Sequence, residues 1–409
     1  MFYLKHNWEL SDKPNNHYLS DLVGHLYLCT LFDFKNKQKK TLEKIFEQVE
    51  KQIQKDGTSY EGSTSYHKLV TELLLHTYLL CKVENLEIPN NFKNKIDLML
   101  EFLSNCHVNE NFMIQIGDND SGKIVTGINS IRLNPSIHPC FAEGFAGHSG
   151  RTANIYNKNL QIKSDHPECS AKAECIEGSN EKILNHYPHF GLTILKPKKW
   201  YITFRHPTFS NTQPTGHFHE DQLSVTLAYD DIPIIVDPGS YLYTSNAKWR
   251  NLMRSRESHN TFYKNQKTDF SKLDLFQLPR KSQKDTAEIF EDEKEIRVQN
   301  FYEECSREVF YNKIKNHFEI IDKILEFCDS NYRWNFIFHP KISLEKIDKH
   351  SWNIKFQNKK LLIFKSDIEF KKTDGFYSPN YGSMEKCEKL TSLDPSIQFS
   401  SLRFENHSG

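Results

Sequence analysis

The stretch Gly216-His217-Phe218-His219-Glu220-Asp221-Gln222-Leu223-Ser224 holds the densest set of reactive side chains in the sequence. Read as a strand, it places His217, His219 and Asp221 on one face and Phe218 and Glu220 on the other. Two imidazoles and a carboxylate on one edge could bind a divalent metal; alternatively, His219 ligates while His217 serves as a base. An H-x-H pair is equally the mark of a solvated, His-rich strand start. Asp237 strengthens the metal reading, because it follows the apolar run Ile232-Pro233-Ile234-Ile235-Val236. A carboxylate desolvated there needs a cation or hydrogen-bond donors, although an Asp before Pro-Gly also forms turns. His259 offers a third ligand from a separate segment. Two imidazoles with one carboxylate favour zinc over calcium.

Tyr241 and Tyr243 alternate onto one strand face beside Arg250, Arg254 and Arg256. A guanidinium stabilises a neighbouring phenolate, which suits proton transfer, and holds a carboxylate through two parallel hydrogen bonds, so an acidic sugar fits here. Each Tyr is equally an ordinary strand aromatic. Asn15-Asn16-His17 opens a helix, and capping accounts for one Asn but not for the polar triplet. The loop 56–67 carries Tyr60 and Tyr66 to the first turn of another helix, where binding groups concentrate. Gly117-Asp118-Asn119-Asp120-Ser121-Gly122 resembles a calcium loop but lacks the downstream bidentate Glu; it reads as a turn facing a cleft.

Helical spacing of apolar residues predicts four helices over 16–34, 39–55, 64–83 and 89–106, the second ending at Asp56-Gly57, with a short fifth near 139–147. Short loops between them predict antiparallel helical hairpins. Beyond about 185 the pattern changes to short β-rich runs at 191–195, 200–204, 223–229 and 232–236, then 295–302, 305–312, 317–324, 333–338, 352–356 and 360–365. Such spacing implies an antiparallel sandwich. The expected organisation is therefore α+β: a helical domain over 1–148, a loop-rich linker over 149–184 and a β-sandwich over 185–409.

Composition narrows the function. In 409 residues, 53 Lys+Arg balance 53 Asp+Glu, and the pI near 7.3 argues against a nucleic-acid binder, which carries a basic face. Mean hydropathy is −0.66, and no apolar run is long enough for a membrane span. Nine cysteines without a C-x-x-C pair read as reduced, mostly buried thiols. The opening MFYLKHNWELSDKPNN shows no secretory leader, so the sequence as written is expected in the cytoplasm, or in the periplasm if a further segment precedes it.

Taken together, the segments at 15–17, 56–67, 116–122, 216–224, 236–243 and 254–262 resemble, in order and separation, the heparinase II/III-like polysaccharide lyases. The resemblance covers roughly residues 10–270. It implies an α/α toroid, normally with many more helices than the four legible here, joined to an antiparallel β-sandwich. It also implies cleavage of an acidic polysaccharide by β-elimination. By this resemblance Asn16, with His17 beside it, neutralises the uronate carboxylate. Tyr66 acts as base, acid or both, and His217 is the partner base on the opposite wall. His219, Asp237 and His259 hold a structural zinc ion, while Tyr241, Tyr243 and Arg254 contact substrate. Two other readings compete. One is a non-catalytic sugar-binding or scaffold protein of surface-polysaccharide assembly. The other is a cupin-type metal enzyme, disfavoured because Glu220 stands adjacent to the second His and on the other face.

Overall fold

The computed structural model describes residues 7–122, 124, 182–210, 213, 216–264, 270, 274–278, 282–324, 331–394 and 399–406. Its first half is helical: α1 (Asn16–Leu31), α2 (Lys35–Gln52), α3 (Thr64–Val83) and α4 (Asn90–Cys106). The predicted spacing has a direct physical counterpart. Leu19, Leu22, Val23 and Leu26 of α1 meet Ile45 and Val49 of α2, Leu74 of α3 and Ile96 of α4 in one buried cluster. Two ends differ from expectation. The first helix stops at Leu31 because Asp33 turns through a left-handed backbone conformation. The second stops at Gln52, before Asp56-Gly57, because Ile53 leaves the helix to bridge with Ser59. The short helix expected near 139–147 and most of the linker over 149–184 lie outside the described residues.

The second half is antiparallel throughout. A five-stranded sheet runs β3 (Leu184–Tyr187), β4 (Leu192–Leu195), β5 (Trp200–Arg205), β6 (Val225–Tyr229) and β7 (Ile232–Ile235). An eight-stranded sheet follows the order β14-β15-β16-β19-β12-β11-β10-β9, and a four-stranded sheet the order β17-β18-β13-β8. Here β8 is Phe262–Lys264, β9 Glu288–Glu291, β10 Glu295–Tyr302, β11 Cys305–Asn312, β12 His317–Ile324, β13 Tyr332–Ile337 and β14 Ile342–Lys346. The remainder are β15 Ser351–Phe356, β16 Lys359–Ser366, β17 Phe370–Tyr377, β18 Glu385–Ser392 and β19 Phe399–Asn406.

Strands β4 and β5 are buried along their whole length, which explains why their sequences are largely apolar on both faces, with Thr193, Thr203 and Arg205 the buried polar exceptions. One face of this sheet sends Trp200, Ile202 and Phe204 into the sandwich core with Trp334, Phe336 and Phe364. The other sends Leu192, Ile194 and Tyr201 against Phe102 and Cys106 of α4. A shared sheet thus welds the helical half to the sandwich. A two-stranded ribbon, β1 (His107–Asn109) with β2 (Phe112–Met113), leads from α4 towards the site. Cys29, Cys81, Cys106, Cys305 and Cys387 are buried free thiols, while Cys140, Cys169, Cys175 and Cys328 lie outside the described residues. Burial raises the thiol of Cys305 to about 11 and those of Cys81 and Cys387 to about 12, so they are inert packing groups. Among the described residues no helix is long and apolar enough to cross a membrane.

Candidate active site

Three segments distant in sequence lock together at the start of α3. Ser63 caps that helix by accepting from the Tyr66 amide at 3.1 Å, and its own hydroxyl donates to the Asp118 carbonyl at 2.6 Å. The Thr64 amide donates to the Ile116 carbonyl at 3.0 Å, and the Asp118 amide to the His217 carbonyl at 3.0 Å. Segment 116–118 is thereby clamped between α3 and the loop 216–218. Gly117 makes this possible: its φ is +69°, and a Cβ there would strike the His217 carbonyl oxygen. Gly62, also left-handed, lies flat against the ring of Phe218.

The expected strand over 216–224 is instead a loop, and β6 begins only at Val225. Its backbone donors go elsewhere: the Ser224 amide closes a turn on the Asp221 carbonyl, and Leu223 is left-handed at φ 61°. His217 and His219 still converge, because both reach Asp118. His217 Nδ1 lies 3.2 Å from Asp118 Oδ2 and His219 Nε2 lies 2.9 Å from Oδ1. Asp221 turns away to pair with Arg205 at 3.1 Å. Asp118 is completely buried and also receives both Nη atoms of the buried Arg250, Nη2 to Oδ2 at 2.9 Å. Burial alone would raise its pKa, but the Arg250 charge and the hydrogen bonds from both histidines outweigh it and hold the carboxyl far below the usual range. An ionised carboxylate only accepts. The proton of His217 is therefore on Nδ1 and its basic lone pair on Nε2; by the same argument His219 presents Nδ1 to its other side.

The Tyr66 ring lies flat on His217, with centroids 3.5 Å apart and planes at 16°. The two groups are therefore side by side, not on opposite walls. Tyr243 stands beside them, with the Arg250 guanidinium 5.2 Å from its ring centre. The expected stabilised phenolate is absent here, because Arg250 spends its charge on Asp118. Burial, then the Asp120 charge, pushes the Tyr66 hydroxyl well above the ordinary phenol value; burial and Asp118 do the same to Tyr243. Both hydroxyls hold their protons. A groove of about 650 Å³ is lined by Ser65 and Asn119, the chain neighbours of Tyr66 and Asp118, and by Lys68, Ser121 and Lys341 among others.

Behind the histidines, ligand-type atoms of His219, Asp237 and His259 lie within 4.8 Å of one another, and all three residues are buried. His259 Nδ1 is 2.9 Å from Asp237 Oδ2, while its Nε2 has no hydrogen-bond partner among the described residues. Burial disfavours a charged His259, but the Asp237 carboxylate outweighs that and raises its pKa. Two imidazoles, a carboxylate and a buried orphan nitrogen suit a borderline divalent ion such as zinc.

Asn16 is buried, and its backbone amide and Nδ2 reach the two oxygens of Glu61 at 3.0 and 2.9 Å. Glu61 immediately precedes Gly62 and the α3 cap, so this pair ties the start of α1 to the Tyr66 helix. The helix cap itself is Asn15, whose side chain accepts from the Tyr18 amide at 3.1 Å.

Residues 2–139 match the family described as Heparinase II/III N-terminus, and residues 180–401 the one described as Heparinase II/III-like, C-terminal. The chain belongs to the heparinase II/III-like family. Solved structures agree on the fold. Heparinase III superposes with a TM-score of 0.72 at 15% identity, over 98% of this chain and 62% of that one. Heparan sulfate lyase HepC from Pedobacter heparinus gives 0.66 at 16% identity, over 100% and 62%. Chondroitin AC lyase from Streptomyces coelicolor A3, solved with chondroitin sulphate, gives 0.56 at 9% identity, over 100% and 62%. The chain thus spans about 62% of the length of these structures. No curated protein matches it.

Within this heparinase-like frame several expected site residues stand elsewhere. His17 is on the exposed flank of α1, 2.5 Å from Glu9, rather than beside the buried Asn16 amide. Tyr241 and Tyr243 lie in a turn rather than on a strand: Tyr241, with φ 59°, edges onto Trp249, while Tyr243 packs against Phe276 and Tyr381. Arg254 is fully buried, donating to the carbonyls of Asp274, Leu275 and Gln277. Its fork braces that loop and is spent before any substrate arrives. Conversely, Asp118, Arg250 and Glu61 join the site unannounced. Asp118 sits in a motif that reads as a turn, and Arg250 in a cluster whose charge has no partner in sequence; only the folded chain supplies their partners.

Proposed function

We propose that the protein is a polysaccharide lyase that cleaves a uronic-acid-containing polysaccharide by β-elimination. The stacked Tyr66–His217 pair backed by Asp118 carries this reading. His217, protonated on Nδ1 by the demand of Asp118, offers Nε2 to the C5 proton. Tyr66, kept protonated by burial, donates its hydroxyl proton to the departing O4 as the C4–O4 bond breaks and the C4–C5 double bond forms. The proton gained by His217 then returns to the Tyr66 oxygen beside it. Asn16, oriented by Glu61, would meet the substrate carboxylate with its amide and make the C5 proton more acidic. Acceptor and donor on one face suit removal of H5 and O4 from the same side of the ring, as a gluco-configured uronate presents them.

His219, Asp237 and His259 would hold a zinc ion, which contributes folding energy at the base of the site. Asp118 Oδ1 fixes the His219 ring from the outside, so the ion would brace the loop that carries His217. The relatives' printed names, heparan sulfate lyase and chondroitin AC lyase, point to acidic glycans as the substrate class.

The test is ultraviolet absorbance from the conjugated uronate product on a panel of glucuronate- and iduronate-containing polysaccharides. Glucuronate-containing chains should yield a rising signal that Tyr66→Phe and His217→Ala abolish while circular dichroism stays unchanged. Full activity in Tyr66→Phe overturns the acid assignment, and a signal confined to iduronate overturns the one-face geometry.

A further inference from the structure

A second constellation of ligand-type groups lies away from the candidate active site, where the edge of the five-stranded sheet meets the eight-stranded one. His186 is on β3, His206 follows β5 by one residue, and Asp285 stands three residues before β9. One ligand-type atom of each lies within 4.8 Å of the others. The side chain of Asp285 is 2% exposed, His206 is 1% exposed, and the His186 side chain, at 24%, gives access from solvent. We propose that His186, His206 and Asp285 form a second divalent-metal site, of zinc type, that staples the two sheets.

The surrounding hydrogen bonds assign which atoms face the ion. Thr193 Oγ1 lies 2.9 Å from His186 Nδ1 and 2.6 Å from His206 Nε2, so it holds the outer nitrogen of both rings. The inner nitrogens are His186 Nε2 and His206 Nδ1. His186 Nε2 is 3.3 Å from Asp285 Oδ2, a separation suited to two ligands of one small cation, and Oδ2 makes no hydrogen bond among the described residues. The other oxygen of Asp285 is satisfied from outside by the Ala287 amide at 2.9 Å and Asn300 Nδ2 at 2.8 Å. Each ligand is thus anchored on its far side, and His186 Nε2 and Asp285 Oδ2 face each other across the space the ion would take.

One contact must yield. Asn300 Nδ2 also lies 3.0 Å from His206 Nδ1, and its orientation is fixed because Oδ1 accepts from the Phe301 amide at 2.7 Å. On metal binding that nitrogen exchanges an amide hydrogen for the cation, while Asn300 keeps Asp285 and Phe301. The carboxylate of Asp285 and the ring of His206 are buried, and a cation bound between them would offset the cost of keeping that carboxylate away from water. Two imidazoles and one carboxylate, with a side open for water, favour zinc or cobalt over calcium.

The measurement is metal content and cobalt absorption of the full chain, stripped with a chelator and reloaded. Wild type should hold one more equivalent of zinc than Asp285→Asn, whatever the other cluster binds, and the same equivalent should vanish in His186→Ala, a truncation at a part-exposed position that leaves the core packing in place. In an Asp237→Asn background, added cobalt should give one saturable set of visible bands that Asp285→Asn removes. Zinc should raise the Tm of Asp237→Asn but not of the double variant. Equal zinc content in wild type, Asp285→Asn and His186→Ala would reduce the constellation to a hydrogen-bonded network and overturn the proposal.

Discussion

Replacing Asp118 by Asn changes one atom at the point where the base, the proposed metal ligands and a buried arginine meet. The carboxylate accepts from two Arg250 nitrogens, from His217 Nδ1 at 3.2 Å and from His219 Nε2 at 2.9 Å, with no exposure to water. Asparagine keeps the shape but has one acceptor oxygen, and its amide hydrogens would face donors. The Arg250 charge would remain buried and uncompensated, which costs about 3–5 kcal/mol. Arg250→Met should cost a similar amount for the opposite reason, since it strands the carboxylate. The double variant loses both charges and should be less destabilised than the sum of the singles by about 1–3 kcal/mol. Urea unfolding followed by tryptophan fluorescence reads these differences. In parallel, His217 loses the acceptor that fixes its tautomer, so kcat for product absorbance should fall about 10²- to 10⁴-fold in Asp118→Asn. Additive destabilisation to within about 0.5 kcal/mol, together with turnover like wild type, would refute the argument that Asp118 is the shared anchor.

Other consequences follow from the same geometry. Gly117→Ala forces a Cβ onto the His217 carbonyl at φ +69°, so it should cost about 1–2 kcal/mol in urea unfolding and reduce turnover more than that loss explains. His67, fully buried between the Ser59 amide and the Met99 carbonyl, has its pKa lowered by burial from 6.5 to about 4. The unfolded chain therefore binds the proton first, and stability should drop as pH falls from about 6.5 to 4, by about 3 kcal/mol from this group. His67→Gln should flatten that part of the stability profile, and an unchanged slope would contradict the burial argument. His259→Ala should lower both zinc content and Tm, whereas a variant with unchanged metal and stability would remove the proposed ion from the base of the site.

The elements and their class follow from local pattern alone. Continuous runs such as Gly191-Leu192-Thr193-Ile194-Leu195 and the 3.6-residue spacing of α1 to α4 are local consequences of which faces are buried, so they are legible without partners. Helix ends were less legible where the chain departs early for a long-range bridge, as at Ile53 with Ser59. The chemistry-bearing residue types of the candidate site were also visible as motifs, because His, Tyr and Asn are costly to place without partners. Pairing, by contrast, emerges only on folding. The alternation rule placed Asp221 with the histidines, but a loop has no two-residue period, and Asp118, about a hundred positions upstream, took both imidazoles instead. Arg254 looked available and proved to be spent on loop carbonyls, while Arg250 neutralises Asp118 and burial keeps Tyr66 and Tyr243 protonated. Charge, tautomer and pKa depend on which groups meet in a buried space, and that is set by packing across segments rather than by the order of residues along the chain.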